Sequence, residues 1–348
     1  MNKTGFVRHP LYLKHEIDDY HPESPERLVQ IYAMVDQFLA DQLTPIQPRE
    51  ATHEELQWIH EQRYVDLVAG TEGRRVRLDP DTGTSPESYR AALLSTGGLL
   101  AAVDAIYAGQ VEHAFVASRP PGHHAEANRS SGFCLFNNVA VAAEYALRKH
   151  DARRVLIFDW DLHHGNGTQH SFENTDQVLY LSTHQFPYFP GTGNFMEVGH
   201  GPGKHHTVNV PLSSGFGDGD FVQIVTRILR PIALAYKPDF IIVSTGYDTY
   251  EHDPLGAMSV TTTGYGALTH HLLDIARETC NGRLLMALEG GYHLQGLAAG
   301  VKCTLQTLLA GKAPPEWLAG KPLREDALET VLSRVIEIHQ PYWKDLVL

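Results

Sequence analysis

Cysteine is scarce in this sequence: Cys134, Cys280 and Cys303 are the only three among 348 residues. They form no CxxC pair and no even-numbered framework, which argues against disulfide stapling and for a reducing compartment. Basic charge is also short, with 28 Lys and Arg against 41 Asp and Glu, a formal net charge of −13. Nonspecific binding to nucleic acid or to an anionic membrane needs basic patches and is disfavoured. The balance suits a cationic substrate or product instead. No apolar run approaches the ~18 residues of a spanning helix, and residues 1–6 lack the apolar stretch of a signal peptide. A cytoplasmic protein is expected. Repeats, low-complexity tracts and linkers are missing too, so one domain is expected over 1–348.

The chain does contain a strand–helix alternation and 21 histidines. Largely apolar runs at 111–118, 154–161, 177–184, 206–211, 239–245 and 284–288 read as buried parallel strands. Helical patterns lie near 25–41, 52–70, 86–108, 137–149, 219–235, 263–280, 293–311 and 324–339. Residues 1–30 read as loop-rich, with Pro22 and Pro25 as breakers. The alternation predicts an α/β fold with a single central parallel sheet flanked by helices on both faces.

Five strands run into polar, glycine-rich sequence. These are Arg119-Pro120-Pro121-Gly122-His123-His124, residues 159–167, Ser182-Thr183-His184, Gly246-Tyr247-Asp248 and Glu289-Gly290-Gly291-Tyr292-His293. Ligands of open parallel sheets bind at the carboxyl ends of strands. Strand alternation would turn Asp159, Asp161 and His163 into one space, and a catalytic zinc takes such carboxylate and imidazole donors. Asp161 and His163 supply two ligands. Asp248 is the favoured third, with Asp253 as rival and a helix N-cap as its bland alternative. His123-His124 suits a proton-handling pair, and Tyr292 could present its hydroxyl to a developing oxyanion. Phe133 and Phe189 would wall a narrow apolar channel; taken singly, each is a core residue by default.

Arg119-Pro120-Pro121-Gly122-His123-His124-Ala125, Gly132-Phe133-Cys134-Leu135-Phe136-Asn137-Asn138, residues 159–167, Phe189-Pro190-Gly191-Thr192-Gly193, Asp253-Pro254-Leu255-Gly256 and Leu288-Glu289-Gly290-Gly291-Tyr292 occur in this order. Together they resemble the zinc-dependent histone deacetylase family, over residues 8–310. Trp160, Asn166 and the stretch from His21 to Leu28 resemble its class II and bacterial histone deacetylase-like amidohydrolase branches. The resemblance implies the arginase–deacetylase fold and zinc on Asp161, His163 and Asp248, which settles Asp248 over Asp253. It implies His124 as general base and then acid, His123 held by Asp159 as its electrostatic partner, and Tyr292 polarising the acyl carbonyl. It also implies potassium bound through Asp159, Asp161, His163 and Ser182. Gly132, Phe133, Phe189 and Leu255 would line the substrate channel, with Asp81, or Asp79 close behind, meeting the substrate backbone. Where class I carries an aspartate, this chain has Asn166, which orients an imidazole without adding charge.

The implied reaction is hydrolysis of an acyl group from the ε-amine of lysine in a protein or peptide, with acetylpolyamine as alternative substrate. Leu255, apolar where polyamine-selective relatives carry an acidic gatekeeper, favours acyl-lysine. A two-manganese ureohydrolase would need further ligands, and Asp248-Thr249-Tyr250 offers no second carboxylate two residues on. A non-catalytic binding protein would need an incomplete site, and no implied residue is missing. Homo-oligomerisation through the loop at 185–205 stays open.

Overall fold

The computed structural model describes residues 3–18 and 20–347; residues 1, 2, 19 and 348, which the one-domain expectation also spans, lie outside the described residues. In chain order the strands are β1 (Thr4–Val7), β2 (Thr44–Ile46), β3 (Val76–Arg77), β4 (Gly83–Thr84), β5 (His113–Val116), β6 (Val155–Asp159), β7 (Val178–Gln185), β8 (Thr207–Leu212), β9 (Phe240–Thr245) and β10 (Leu284–Leu288). Eight of them form one sheet in the order β2-β1-β5-β10-β9-β6-β7-β8. Every neighbouring pair in it is parallel. β3 and β4 form a separate antiparallel pair around the loop that carries Asp79 and Asp81.

Successive side chains on a strand face opposite ways, so each central strand feeds two cores. On β6, Val155 and Ile157 join one cluster while Leu156 and Phe158 join the other; on β9, Ile242 and Ile241 divide the same way. The helices Gln62–Ala69, Ser88–Tyr107 and Asn138–Lys149 cover the first face. Glu26–Phe38, Thr262–Cys280, Leu294–Ala310 and Glu325–His339 cover the second. Each fully buried Val, Leu, Ile or Phe contributes about 1.5–3 kcal/mol. With both faces covered, the central strands are apolar until their carboxyl ends, which is why the sequence pattern finds them. Among the described residues no helix is long and apolar enough to cross a membrane.

The structure corrects the expected elements in three places. Within the stretch read as loop-rich, residues 3–18 hold regular structure: β1 lies there, followed by a short 3₁₀ turn at Pro10–Lys14. β1 has four residues and β2 three, too few for a periodic signal, and β2 contains Pro45. Proline is tolerated there because β2 is an edge strand, as is β8 with Pro211. The helix expected over 52–70 is two, His53–Leu56 and Gln62–Ala69. The helix over 219–235 widens into a π turn at Val225–Leu229, where Pro231 has no N–H to return to the preceding turn. Ser182 and His184 lie inside β7, as the strand expected over 177–184 has them.

Because the sheet is all-parallel, its carboxyl ends share one edge. The five strands whose ends carry the chemistry, β5, β10, β9, β6 and β7, are consecutive neighbours in it. That adjacency, not readable from sequence spacing, brings residues 123, 159, 182, 248 and 292 together.

Candidate metal centre and active site

β6 ends at Asp159, so strand alternation does not carry Asp161 and His163 to the same point as expected. A hydrogen-bonded turn does so instead. The Asp161 amide donates to Asp159 Oδ1 (3.1 Å), and the His163 amide donates to Asp161 Oδ1 (2.9 Å). The Leu162 amide, between them, donates to Asp248 Oδ1 (2.9 Å), tying this turn to the end of β9. His163 Nδ1 then faces Asp161 Oδ1 and Asp248 Oδ2, each at 3.2 Å. Donor atoms of Asp161, His163 and Asp248 all lie within 4.8 Å of one another, the sole group of this kind among the described residues.

All three groups are buried, and two glycines make room for them. A Cβ at Gly246 would land on the Asp161 carboxylate, and one at Gly290 on the Asp248 carboxylate. Burial, and then the Asp161 charge, push Asp248 up to about 7. Burial also opposes the charges of Asp161 and His163. His123 and His163 nevertheless hold Asp161 well below the carboxylate range. Hydrogen bonds to Asp161 and Asp248 lift His163 to about 9. Two buried carboxylates and one imidazole make the oxygen–nitrogen donor set that zinc takes. The donor set fits the expected metal.

Asp253 is engaged elsewhere. Its Oδ2 accepts from the amides of Tyr292 (2.6 Å) and His293 (3.0 Å), and its Oδ1 from the Leu255 amide (3.0 Å). It fixes the Tyr292 loop, which sequence reasoning did not anticipate for it.

His123 and His124 stand side by side, ring centroids 4.0 Å apart, in opposite environments. Burial disfavours charge on His123, but Asp161 and Asp159 outweigh it and raise it to about 10; Asp159 Oδ2 is 3.1 Å from its Nδ1. Burial, with charge on His123 and His163, holds His124 well below the usual imidazole range. Its Nδ1 meets Asn166 Oδ1 at 2.7 Å. The two environments therefore favour charge on His123 and neutrality on His124.

These rings open into a cavity of about 230 Å³, lined also by Asp81, Gly132, Phe133, His163, Tyr188, Phe189, Leu255 and Tyr292. Gly132 has φ 52° and Phe133 φ 70°. A Cβ at Gly132 would collide with the His124 ring, so only glycine lets the wall pass this closely. Tyr292 packs edge-on to Phe133, centroids 5.9 Å apart, and burial keeps its phenol protonated against the pull of Arg27. Asp81 lines the cavity, its carboxyl raised to about 6 by burial and by Asp79. Asp79 does not line it: its oxygens take the amides of Asp81 and Thr82 and the Ser130 hydroxyl. Ser182 sits beside Asp159 in the β6–β7 register.

Several supporting residues escaped the sequence. Tyr180 donates to Asp159 Oδ2 (3.0 Å), and Tyr188 stacks over His163 (5.7 Å). Glu289 accepts from the amides of Gly122 (2.7 Å) and His123 (3.2 Å), joining the ends of β5 and β10. Buried Glu23 binds both Arg27 and Arg119, and Arg27 reaches the carbonyls of Glu289 and Gly291. The available signal was weak: charged residues bracketing prolines at 22–27, and a carboxylate before Gly-Gly.

A parallel eight-stranded α/β sheet with an Asp–His–Asp cluster at its carboxyl edge defines the arginase–deacetylase class of fold. The solved HDA15 HD domain aligns with a TM-score of 0.92 at 38% identity, covering 99% of this chain and 96% of that one. Histone deacetylase HDA1 of Candida albicans is 40% identical over 359 residues, covering 95% of this chain and 42% of that protein. A probable deacetylase of Archaeoglobus fulgidus is 36% identical over 357 residues, covering 98% of this chain and 99% of its own length. The histone deacetylase domain profile matches residues 21–308. The chain belongs to the histone deacetylase family.

Proposed function

We propose that this chain is a zinc-dependent amidohydrolase that removes an acetyl, or other acyl, group from the ε-amine of lysine. One observation carries the reading: His163 of the Asp161–His163–Asp248 cluster, the unlike histidine pair and Tyr292 all line one narrow cavity. Zinc, held by Asp161, His163 and Asp248, would polarise the acyl carbonyl and acidify the attacking water. Potassium would be held through Asp159, Asp161, His163 and Ser182, offsetting buried carboxylate charge. We assign the catalytic domain to 1–348 as one unit, and its thiols, all free, suit a reducing cytoplasm.

Phe133 and Phe189 grip the aliphatic chain of the substrate, with Gly132 and Leu255 completing the channel. Asp81 at the mouth accepts hydrogen bonds from the substrate backbone. His124 is neutral and takes the proton of the attacking water at Nε2, while Asn166 holds its Nδ1. His123, kept charged by Asp159, stabilises negative charge growing on the acyl oxygen. The Tyr292 hydroxyl donates to that oxygen. His124 then returns its proton to the departing amine, giving carboxylate and lysine. No covalent acyl-enzyme is required.

The test is a panel of acetyl-lysine peptides, longer-acyl lysines and acetylated polyamines assayed on the zinc-loaded protein. Acetyl-lysine peptides should exceed acetylpolyamines in kcat/KM by about ten-fold, equivalent to about 1.4 kcal/mol, because Leu255 offers a polyamine cation no carboxylate. Preference for the polyamine would transfer the assignment to the alternative substrate; hydrolysis of neither would end it.

A further inference from the structure

Asn166 lies between two groups that one amide can join in only one orientation. Its Oδ1 is 2.7 Å from His124 Nδ1, and its Nδ2 is 2.6 Å from Glu126 Oε1. Flipping the amide would set its oxygen against a carboxylate, so the network fixes the amide. An amide oxygen can only accept, so His124 carries its proton on Nδ1 and leaves the Nε2 lone pair to the cavity. Glu126 is nearly buried, 8% exposed. It is held by His170 Nδ1, 3.0 Å from both carboxylate oxygens, and faces the Arg129 guanidinium at 3.5 Å.

We propose that Glu126 is a positioning residue for the hydrolysis, placing a negative charge one amide away from His124 and polarising Asn166 toward it. The inference rests on the proposed role of His124. Asn166 donating to a carboxylate becomes a stronger acceptor at Oδ1, since linked hydrogen bonds reinforce one another. The Nδ1–H of His124 is held more firmly, and the imidazolium formed during turnover is stabilised. An uncharged asparagine thus passes on the influence of a carboxylate that never touches the ring. The competing role is a scaffold: Glu126 could simply pin the loop after β5 to the helix Asn166–Phe172.

Glu126→Gln separates the two roles, since it keeps size and an accepting oxygen but removes the charge. In the zinc-loaded protein, kcat for an acetyl-lysine peptide should fall by about ten-fold, with KM and zinc content within about two-fold of wild type. Asn166→Asp alone should also lower kcat, because it sets two carboxylates against each other. In the Glu126→Gln background, Asn166→Asp should restore most of the lost kcat by supplying the charge directly. Unchanged kcat in Glu126→Gln, or a loss that Asn166→Asp does not rescue, overturns the proposal. The ¹⁵N signal of His124, assigned by its disappearance in His124→Ala, gives a readout independent of turnover. It should show protonated Nδ1 and should move in Glu126→Gln; an unmoved signal rejects the relay. Failure of the wild-type protein to cleave any acyl-lysine would strike the functional reading alone.

Discussion

Asp248→Ala protein is expected to purify almost free of zinc and to lose acetyl-lysine hydrolysis with it. Asp248 is fully buried and bridges two strand ends, receiving the Leu162 amide on one oxygen and facing His163 with the other. Asp253 cannot take its place, because both of its carboxylate oxygens are already bound to backbone amides. Loss of an outer partner costs roughly 10- to 100-fold in metal affinity; loss of a direct ligand should exceed that range. The paired control is Asp253→Ala. It should keep zinc near the wild-type level while lowering kcat, since Tyr292 and His293 lose their amide acceptor. Zinc analysis of the two purified variants decides the matter, and zinc lost from Asp253→Ala but kept in Asp248→Ala would reverse the ligand assignment.

Tyr292→Phe should retain zinc and substrate affinity while kcat falls by about 10²- to 10³-fold, the usual cost of one oxyanion donor. The ring should stay in place without its hydroxyl. It packs against Phe133 and lies under the Arg27 guanidinium, 5.0 Å from the ring centroid, and neither contact involves the oxygen. A loss seen in kcat and kcat/KM alike identifies an interaction made in the transition state. Steady-state kinetics on an acetyl-lysine peptide checks it, and unchanged turnover would remove Tyr292 from the chemistry.

Much of this arrangement was legible in the sequence because a sheet buried on both faces writes itself as apolar runs. β6, β9 and β10 were found within a residue or two, and the polar stretches after them pointed to the edge where the buried Asp161–His163–Asp248 cluster lies. β1 and β2 were not legible, being short and, for β2, interrupted by proline. The convergence of Asp159, Asp161 and His163 was foreseen for the wrong physical reason. Alternation ends with the strand, and a chain of side-chain to amide bonds continues the work. Contacts between distant segments left at most a weak sequence signature. Glu289 joins two strand ends, Glu23 pairs with Arg119 across 96 positions, and Glu126 stands behind Asn166 from 40 positions away. Such partners become visible only once the order of strands is known, since that order decides which loops are neighbours. Asp253 shows the converse case: its residue type suited a ligand, but its geometry assigns both oxygens to the backbone beside Tyr292.

The most direct test of the account is a zinc titration of metal-stripped protein, with bound metal and acetyl-lysine hydrolysis measured on the same samples. Activity should rise linearly with added zinc and saturate at one equivalent per chain. Protein that instead takes up two equivalents of manganese, stays inactive with zinc and leaves acyl-lysine intact would contradict it.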